Sequence, residues 1–234
     1  MSEIRATTEL PSIREIVWLK TEDGESLVGE LAKAEHPSGD VILFCHPLPT
    51  HGGFMDSHIL RKAANRLPAM TGISVFRFNT RGTESPHGKS TGEFDGGNAE
   101  RFDLDAAYKF LADKFSRIWL VGWSFGTELV LKYGAQYPIS GAVLLSPPLH
   151  RTSEQELISW NQNPAPLVAL IPEFDDFLTE QPAREKFAVI PSIDIQVVAG
   201  AKHLWVGETY TREVLNRIVA LINPEFSRLP TEWD

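Results

Sequence analysis

The chain has 234 residues, of which 42% are hydrophobic and 23% are charged, a balance typical of a globular protein and not of a disordered one. Acidic residues outnumber Lys and Arg by 31 to 22, and the resulting formal net charge of -9 disfavours binding to nucleic acids or to anionic membrane surfaces. Because Cys45 is its single cysteine, the chain can form neither an internal disulfide nor a paired-cysteine zinc site.

The N-terminal segment lacks the basic start and the apolar stretch of a secretory signal peptide, and no apolar run approaches the ~20 residues that a membrane span needs. These features predict a cytoplasmic protein that does not bind a membrane. The length favours a single domain over residues 1–234, since α/β folds of about 200–250 residues commonly form one unit.

The predicted elements begin with an antiparallel hairpin, in which strands at 13–20 and 26–34 flank a turn-forming segment. After this hairpin, short apolar strands alternate with stretches whose apolar residues have helical spacing. The strands are predicted at 41–45, 74–78, 118–122, 141–145, 167–171 and 193–198, and the helices at 56–70, 98–115, 124–136, 179–187 and 208–222. This alternation predicts an α/β fold with a mainly parallel, twisted sheet and helices on both faces. The segment before the strand at 167–171 has room for one short helix, near 154–160, and for no more than a minimal cap.

The strongest motif is Gly122-Trp123-Ser124-Phe125-Gly126, which lies between a predicted strand and a predicted helix. It matches the G-x-S-x-G nucleophile elbow in the strand-turn-helix context that this motif requires. A turn this sharp strains the backbone of the serine, and the glycines leave room for crowded neighbours. Ser124 is therefore predicted to be a nucleophile; the alternative is a tight turn with an incidental serine.

A nucleophilic serine needs a base that accepts its proton and an acid that orients this base. His203 follows the last predicted strand, and Asp175 follows the strand before it. Asp176 and, less favoured, Glu173 are alternatives to Asp175 as the acid. The order Ser124, Asp175, His203 along the chain is the order found in α/β-hydrolases.

Acyl chemistry at a serine also needs two N–H groups that stabilise the negative charge developing on the carbonyl oxygen. Phe125, the residue after the predicted nucleophile, supplies one of them. The other is expected from the loop after the strand at 41–45, where Pro47 and Pro49 have no N–H and flank Leu48. Phe125 and Leu48 are thus the predicted oxyanion hole; the alternative for Leu48 is a rigid proline turn without a ligand role.

No segment indicates a cofactor or metal site. The glycine-containing loop at 81–97 matches neither the Walker pattern nor G-x-G-x-x-G, and it is predicted to form a rim over the site. His46, His51 and His58 lack acidic partners in a metal-binding pattern. We therefore predict no cofactor, no metal and a small-molecule acyl substrate. Three tryptophans are candidates to line an apolar substrate pocket, although each is more typical of a core: Trp123, Trp160 and Trp205.

Together, five segments resemble the small α/β-hydrolases related to dienelactone hydrolases. The resemblance spans residues 41–222 and is carried by 45–56, 76–82, the serine elbow, 173–177 and 200–203. It implies the α/β-hydrolase fold, with Ser124 as nucleophile, Asp175 as acid and His203 as base. Dienelactone hydrolases proper use a cysteine nucleophile, which this elbow lacks. Hydrolysis of carboxylic esters or similar acyl compounds is the predicted function; the alternatives are acyl transfer, peptide cleavage and a non-catalytic binding protein on the same fold.

Overall fold

The computed structural model describes residues 2–226 and 228–233. The helices within these ranges are α1 (His58–Thr71), α2 (Glu100–Ala112), α3 (Phe125–Tyr133), α4 (Glu154–Ser159), α5 (Glu180–Phe187) and α6 (Glu208–Ile222). The strands are β1 (Ser2–Glu3), β2 (Ile13–Lys20), β3 (Ser26–Lys33), β4 (Asp40–Cys45), β5 (Ser74–Phe78), β6 (Glu84–Ser85), β7 (Gly88–Lys89), β8 (Arg117–Trp123), β9 (Gly141–Leu145), β10 (Leu167–Phe174), β11 (Asp194–Lys202) and β12 (Glu232–Trp233).

Eight of these strands form the central sheet, in the order β11-β10-β9-β8-β4-β5-β3-β2. Strand β3 runs antiparallel to both of its neighbours, and the other pairings in this sheet are parallel. Two short antiparallel pairs, β1 with β12 and β6 with β7, lie outside it. The predicted α/β class, the opening hairpin and the mainly parallel sheet are confirmed.

Side chains on the two faces of the sheet belong to two separate hydrophobic clusters. In β4, Val41, Leu43 and Cys45 join the cluster that contains side chains of α2, α3, α4 and α5. Ile42 and Phe44, which point to the other face, join the cluster that contains α1 and α6. Since both faces are covered by helices, β4 is apolar at nearly every position and does not alternate with polar residues.

The two strands that precede the acid and the histidine run further than predicted. Strand β10 extends to Phe174 and β11 to Lys202, and these two residues pair after an irregularity between Pro172 and Phe174. The sequence did not predict these extensions, because Pro172 and Gly200 are not typical of a strand interior. The 81–97 loop, predicted without regular structure, contains the short β6–β7 pair.

The segment between β9 and β10 contains α4, which begins with a capping box formed by Ser153 and Glu156. Only α4 and a 3-10 turn at Trp160–Gln162 lie between β9 and β10, which confirms the predicted minimal cap. Within the described ranges, no helix has the length and apolar character needed to cross a membrane.

Candidate active site

The serine elbow lies where β8 ends and α3 begins. Ser124 has φ 51° and ψ -117°, a conformation that is unfavourable for a residue with a Cβ. A Cβ added to Gly126 would lie 2.1 Å from the carbonyl oxygen of Cys45, and one added to Gly122 would lie 2.4 Å from the oxygen of Gly126. Both glycines are therefore required by close backbone contacts, and the elbow is pressed against the end of β4.

Ser124, His203 and Asp175 form a hydrogen-bonded chain. Nδ1 of His203 lies 2.9 Å from Oδ2 of Asp175, and Nε2 lies 2.9 Å from Oγ of Ser124. Because a carboxylate only accepts, Nδ1 carries a proton and donates a hydrogen bond to Asp175. In the neutral ring Nε2 is then the acceptor, so the Ser124 hydroxyl donates to it. This is the arrangement in which an imidazole can remove the serine proton.

The structure brings Asp175 to the histidine and leaves the two alternative acids outside. Oδ1 of Asp175 accepts hydrogen bonds from the amides of Phe177, at 2.8 Å, and Leu178, at 3.1 Å. Burial raises the pKa of this carboxyl, but its bonds to His203 and to these amides outweigh burial and hold the pKa below its ordinary value. Asp176 is exposed, and Glu173 accepts from the amide of Gly200.

The two N–H groups predicted as an oxyanion hole come from adjacent segments. Phe125 is the first residue of α3, where amides have no partner within the helix and the helix dipole adds positive potential. The carbonyl of Leu48 accepts from the amides of His51 and Gly53, which closes a tight turn. Among the residues that the structure describes, neither the amide of Leu48 nor that of Phe125 has an acceptor.

Three side chains that the sequence did not single out for this role hold the loop carrying His203. The carbonyl of His203 accepts from Ser146 Oγ at 3.1 Å and from Trp123 Nε1 at 3.3 Å. His58 Nε2 donates to the carbonyl of Leu204 at 2.8 Å. Ser146 directly follows the carboxyl end of β9. A small polar residue at that position was the one sequence feature that could have indicated its role near the site.

The three tryptophans predicted as candidates to line a pocket are buried side chains. Trp123, Trp160 and Trp205 are 3%, 1% and 0% exposed, so none of them forms an open wall. The indole of Trp160 packs over Gly134 and donates to the carbonyl of Leu131 in α3. These rings fill the core on the two sides of the sheet.

The loop after β4 is held by a buried histidine. His46 Nδ1 donates to the carbonyl of Pro47 at 2.6 Å, and its Nε2 accepts from the amide of Thr80 at 3.1 Å. Burial lowers the pKa of His46 to about 4, so the ring is neutral at physiological pH. Cys45, immediately before it, is also fully buried, and burial raises the pKa of its thiol to about 12.

The rim loop after β5 is tied to the body of the protein by Arg81. Its guanidinium donates to Asp103 Oδ1 at 2.7 Å and to Asp23 Oδ2 at 2.8 Å. Further along the loop, Phe94 packs edge-on against Phe125 with ring centroids 5.3 Å apart. A cavity of about 400 Å³ separates this loop from the one after β4; its lining includes Pro49, Gly52, Gly53, Phe54, Arg81 and Phe94.

No family model matches the chain. A curated relative, an uncharacterised protein of Rickettsia prowazekii, is 26% identical over 187 residues, which are 76% of each chain. A solved alpha-beta serine hydrolase homologue from Coxiella burnetii is 23% identical, covers 92% of this chain and 99% of its own, and has a TM-score of 0.74. The chain has the α/β-hydrolase fold.

Two further structures with this fold extend the comparison. A serine hydrolase without lid from Xanthomonas campestris is 22% identical, with a TM-score of 0.73 and coverage of 96% of this chain and 100% of that one. An esterase of Pyrococcus furiosus is 19% identical, with a TM-score of 0.75 and coverage of 91% and 93%. In the α/β-hydrolase fold the carboxyl ends of the parallel strands carry the site, and Ser124, Asp175 and His203 all follow such ends here.

Proposed function

We propose that this protein is a serine hydrolase that cleaves carboxylic esters or similar acyl compounds. The observation that carries the proposal is the hydrogen-bonded chain from Ser124 through His203 to Asp175, at 2.9 Å for both contacts. A neutral imidazole with its proton on Nδ1 and a serine hydroxyl at Nε2 is prepared for attack on a carbonyl.

In the first half-reaction, Ser124 Oγ forms a bond to the carbonyl carbon while His203 Nε2 takes the hydroxyl proton. The carbonyl oxygen becomes negative and is stabilised by the amides of Phe125 and Leu48. The imidazolium that forms is stabilised by Asp175. Its Nε2 then gives the proton to the alcohol oxygen as the bond between this oxygen and the carbonyl carbon breaks, which leaves an acyl group on Ser124.

In the second half-reaction, water attacks the acyl group and loses a proton to Nε2 of His203. The tetrahedral intermediate collapses, Oγ of Ser124 leaves and recovers the proton, and a carboxylic acid is released. Burial of Asp175 and of most of the His203 ring limits competing solvation of the ion pair during both halves.

Labelling with a fluorophosphonate tests the proposal directly. We expect stoichiometric modification of the native protein at Ser124, and Ser124-dependent turnover of short chromogenic esters. Ser124→Ala should remain folded and lose both. Ester turnover by Ser124→Ala at the wild-type rate, or failure of the native protein to react with the probe or with any ester, would contradict the assignment.

A further inference from the structure

Four large apolar side chains that border the acid and the histidine are more than half exposed. Phe174 is 56% and Phe177 is 54% exposed, on either side of Asp175. The other two, which follow His203, are Leu204 at 56% and Val206 at 70%. Since β10 and β11 are parallel neighbours, both segments lie at the same end of the sheet. We call these four residues the histidine-side shelf: Phe174, Phe177, Leu204 and Val206.

The ring of Phe177 lies directly against that of His203, the proposed base. The Phe177 ring meets that of His203 edge to face, with centroids 4.6 Å apart and planes at 74°. On its other side it meets His150, with centroids 5.4 Å apart. Several exposed apolar side chains grouped next to a reacting group are typical of a ligand contact, whereas single exposed apolar residues are common anywhere.

The chemistry decides which part of an ester reaches this shelf. The alcohol oxygen must come within hydrogen-bond reach of His203 Nε2, because it receives its proton from that atom. The carbonyl oxygen must instead face the amides of Phe125 and Leu48. The sheet order places β10 and β11, which lead to Asp175 and His203, on one side of β8, and β4, which leads to Leu48, on the other. The alcohol portion of the ester therefore lies on the side of the shelf.

We propose that the histidine-side shelf binds the alcohol portion of the substrate and that the preferred substrates are esters of apolar alkyl or aryl alcohols. This inference rests on the serine-hydrolase function proposed above. Contact with the alcohol removes apolar surface of both partners from water, and it does so on one side only, because the shelf is open. Full burial of a methylene changes affinity about fourfold, so one-sided contact gives about twofold for each methylene.

Two matched ester series test this assignment. In the first, acetate esters run from methyl to pentyl, and kcat/KM is measured from acid release; the wild type should show a rise of about 16-fold over the four added methylenes. In the second, methyl esters run from acetate to hexanoate. Phe177→Ala should reduce the rise in the alcohol series to less than about fourfold and leave the slope of the acyl series unchanged. Phe177→Leu, which keeps apolar bulk, should recover part of the slope.

Ratios within a series separate binding at the shelf from damage to the base, because any effect of Phe177→Ala on His203 applies to every ester alike. Leu204→Ser removes a second part of the shelf and should lower the same slope. Trp18, an aromatic residue on β2 that is 54% exposed, provides the control, since Trp18→Ala should behave as the wild type in both series.

A flat alcohol series in a wild type that shows Ser124-dependent turnover would overturn this inference and leave the proposed function standing. So would a wild-type slope in both Phe177→Ala and Leu204→Ser, or equal changes in the two series. Absence of any Ser124-dependent turnover or labelling would overturn the function and the inference together.

Discussion

Replacement of Asp175 by asparagine should strongly reduce catalysis by reversing the tautomer of His203. Oδ1 of Asp175 accepts from two backbone amides, those of Phe177 and Leu178, while Oδ2 accepts from His203. In Asp175→Asn the amide oxygen must occupy the Oδ1 position to satisfy the two backbone donors. The NH2 group then faces Nδ1 of the imidazole, which must give up its proton and accept. The ring carries its proton on Nε2 and cannot take one from Ser124.

The size of this effect follows from the two backbone donors. The opposite orientation of the asparagine would restore the productive tautomer, but it would leave the amides of Phe177 and Leu178 facing an NH2 group. Each unsatisfied buried donor costs about 1–3 kcal/mol, so the productive orientation is disfavoured by about 2–6 kcal/mol. We therefore expect kcat to fall by between about 30-fold and about 10⁴-fold, since each 1.4 kcal/mol corresponds to about a factor of ten.

The assay combines ester turnover with the imidazole resonances in a ¹⁵N–¹H spectrum, which distinguish a proton on Nδ1 from one on Nε2. Asp176→Asn serves as the control, because Asp176 is exposed and lies outside the hydrogen-bonded chain. The reasoning would be refuted if Asp175→Asn kept kcat within threefold of the wild type, or if it lost activity while its proton stayed on Nδ1.

Three further variants test how the site is held. Ser146→Ala removes a donor to the His203 carbonyl and should lower stability by about 1 kcal/mol and kcat by up to about tenfold, with KM little changed, as measured by urea unfolding and ester kinetics. His46 should make unfolding easier in acid: with its pKa lowered to about 4 in the fold, against about 6.5 unfolded, the unfolded chain binds the extra proton, so stability falls as the pH drops from 6.5 towards 4. Between pH 7.5 and 5 this loss is about 2 kcal/mol, and His46→Gln should remove that part of the pH dependence. Gly126→Ala should destabilise the fold by about 3 kcal/mol or more, because its Cβ would overlap the Cys45 carbonyl, and thermal unfolding checks this.

Each of these expectations has a clear contrary result. Equal stability and kinetics of Ser146→Ala and the wild type would show that Trp123 and His58 hold the histidine loop without Ser146. An unchanged pH dependence of unfolding in His46→Gln would show that the buried ring does not contribute to acid sensitivity. A stable, active Gly126→Ala would show that α3 can move away from β4.

The parts of the site that could be predicted from sequence are those set by local structure and chain order. The elbow is recognisable because Gly122 and Gly126 flank a serine between an apolar strand and a helix. Asp175 and His203 could be placed because each follows a strand in a parallel sheet, where carboxyl ends meet at one edge. The strands of the sheet could be predicted because, after the first hairpin, short apolar segments alternate clearly with segments whose apolar residues have helical spacing.

The parts that could not be predicted depend on contacts between distant segments. An indole is equally suited to a pocket wall and to a core. Trp160 lies in the core because Gly134, which has no side chain, leaves room for its ring. Ser146 and His58 act on the histidine loop through hydrogen bonds to its carbonyl groups across 57 and 146 residues of chain. His58 carries no spacing pattern that would indicate such a role, and for Ser146 the sequence offers only its position directly after a strand.

Backbone strain is concentrated at this one edge of the sheet. Within the described residues, the non-glycine positions with positive φ are Ser124, Ser146, Leu149 and Trp205, all between 50° and 54°. All four follow the carboxyl ends of β8, β9 or β11, and the other positive φ angles among the described residues belong to glycines. Each strained residue costs on the order of 1–3 kcal/mol and persists only where the surroundings enforce it.

Hydrogen bonds to neighbouring strands hold two of these residues, Ser124 and Ser146, in place. The amide of Ser124 donates to the carbonyl of Leu145 at 2.8 Å, and the amide of Ser146 donates to that of Leu170 at 3.0 Å, so each turn begins from a hydrogen bond to the next strand. These bonds continue the parallel ladders by one step, and the chain turns away from the sheet directly after them. Ser124 and Ser146 are thus positioned by hydrogen bonds to the rigid sheet and not by flexible loops. The proposed attack of a serine on a carbonyl needs such fixed positions, because the reacting atoms must be held in a precise geometry.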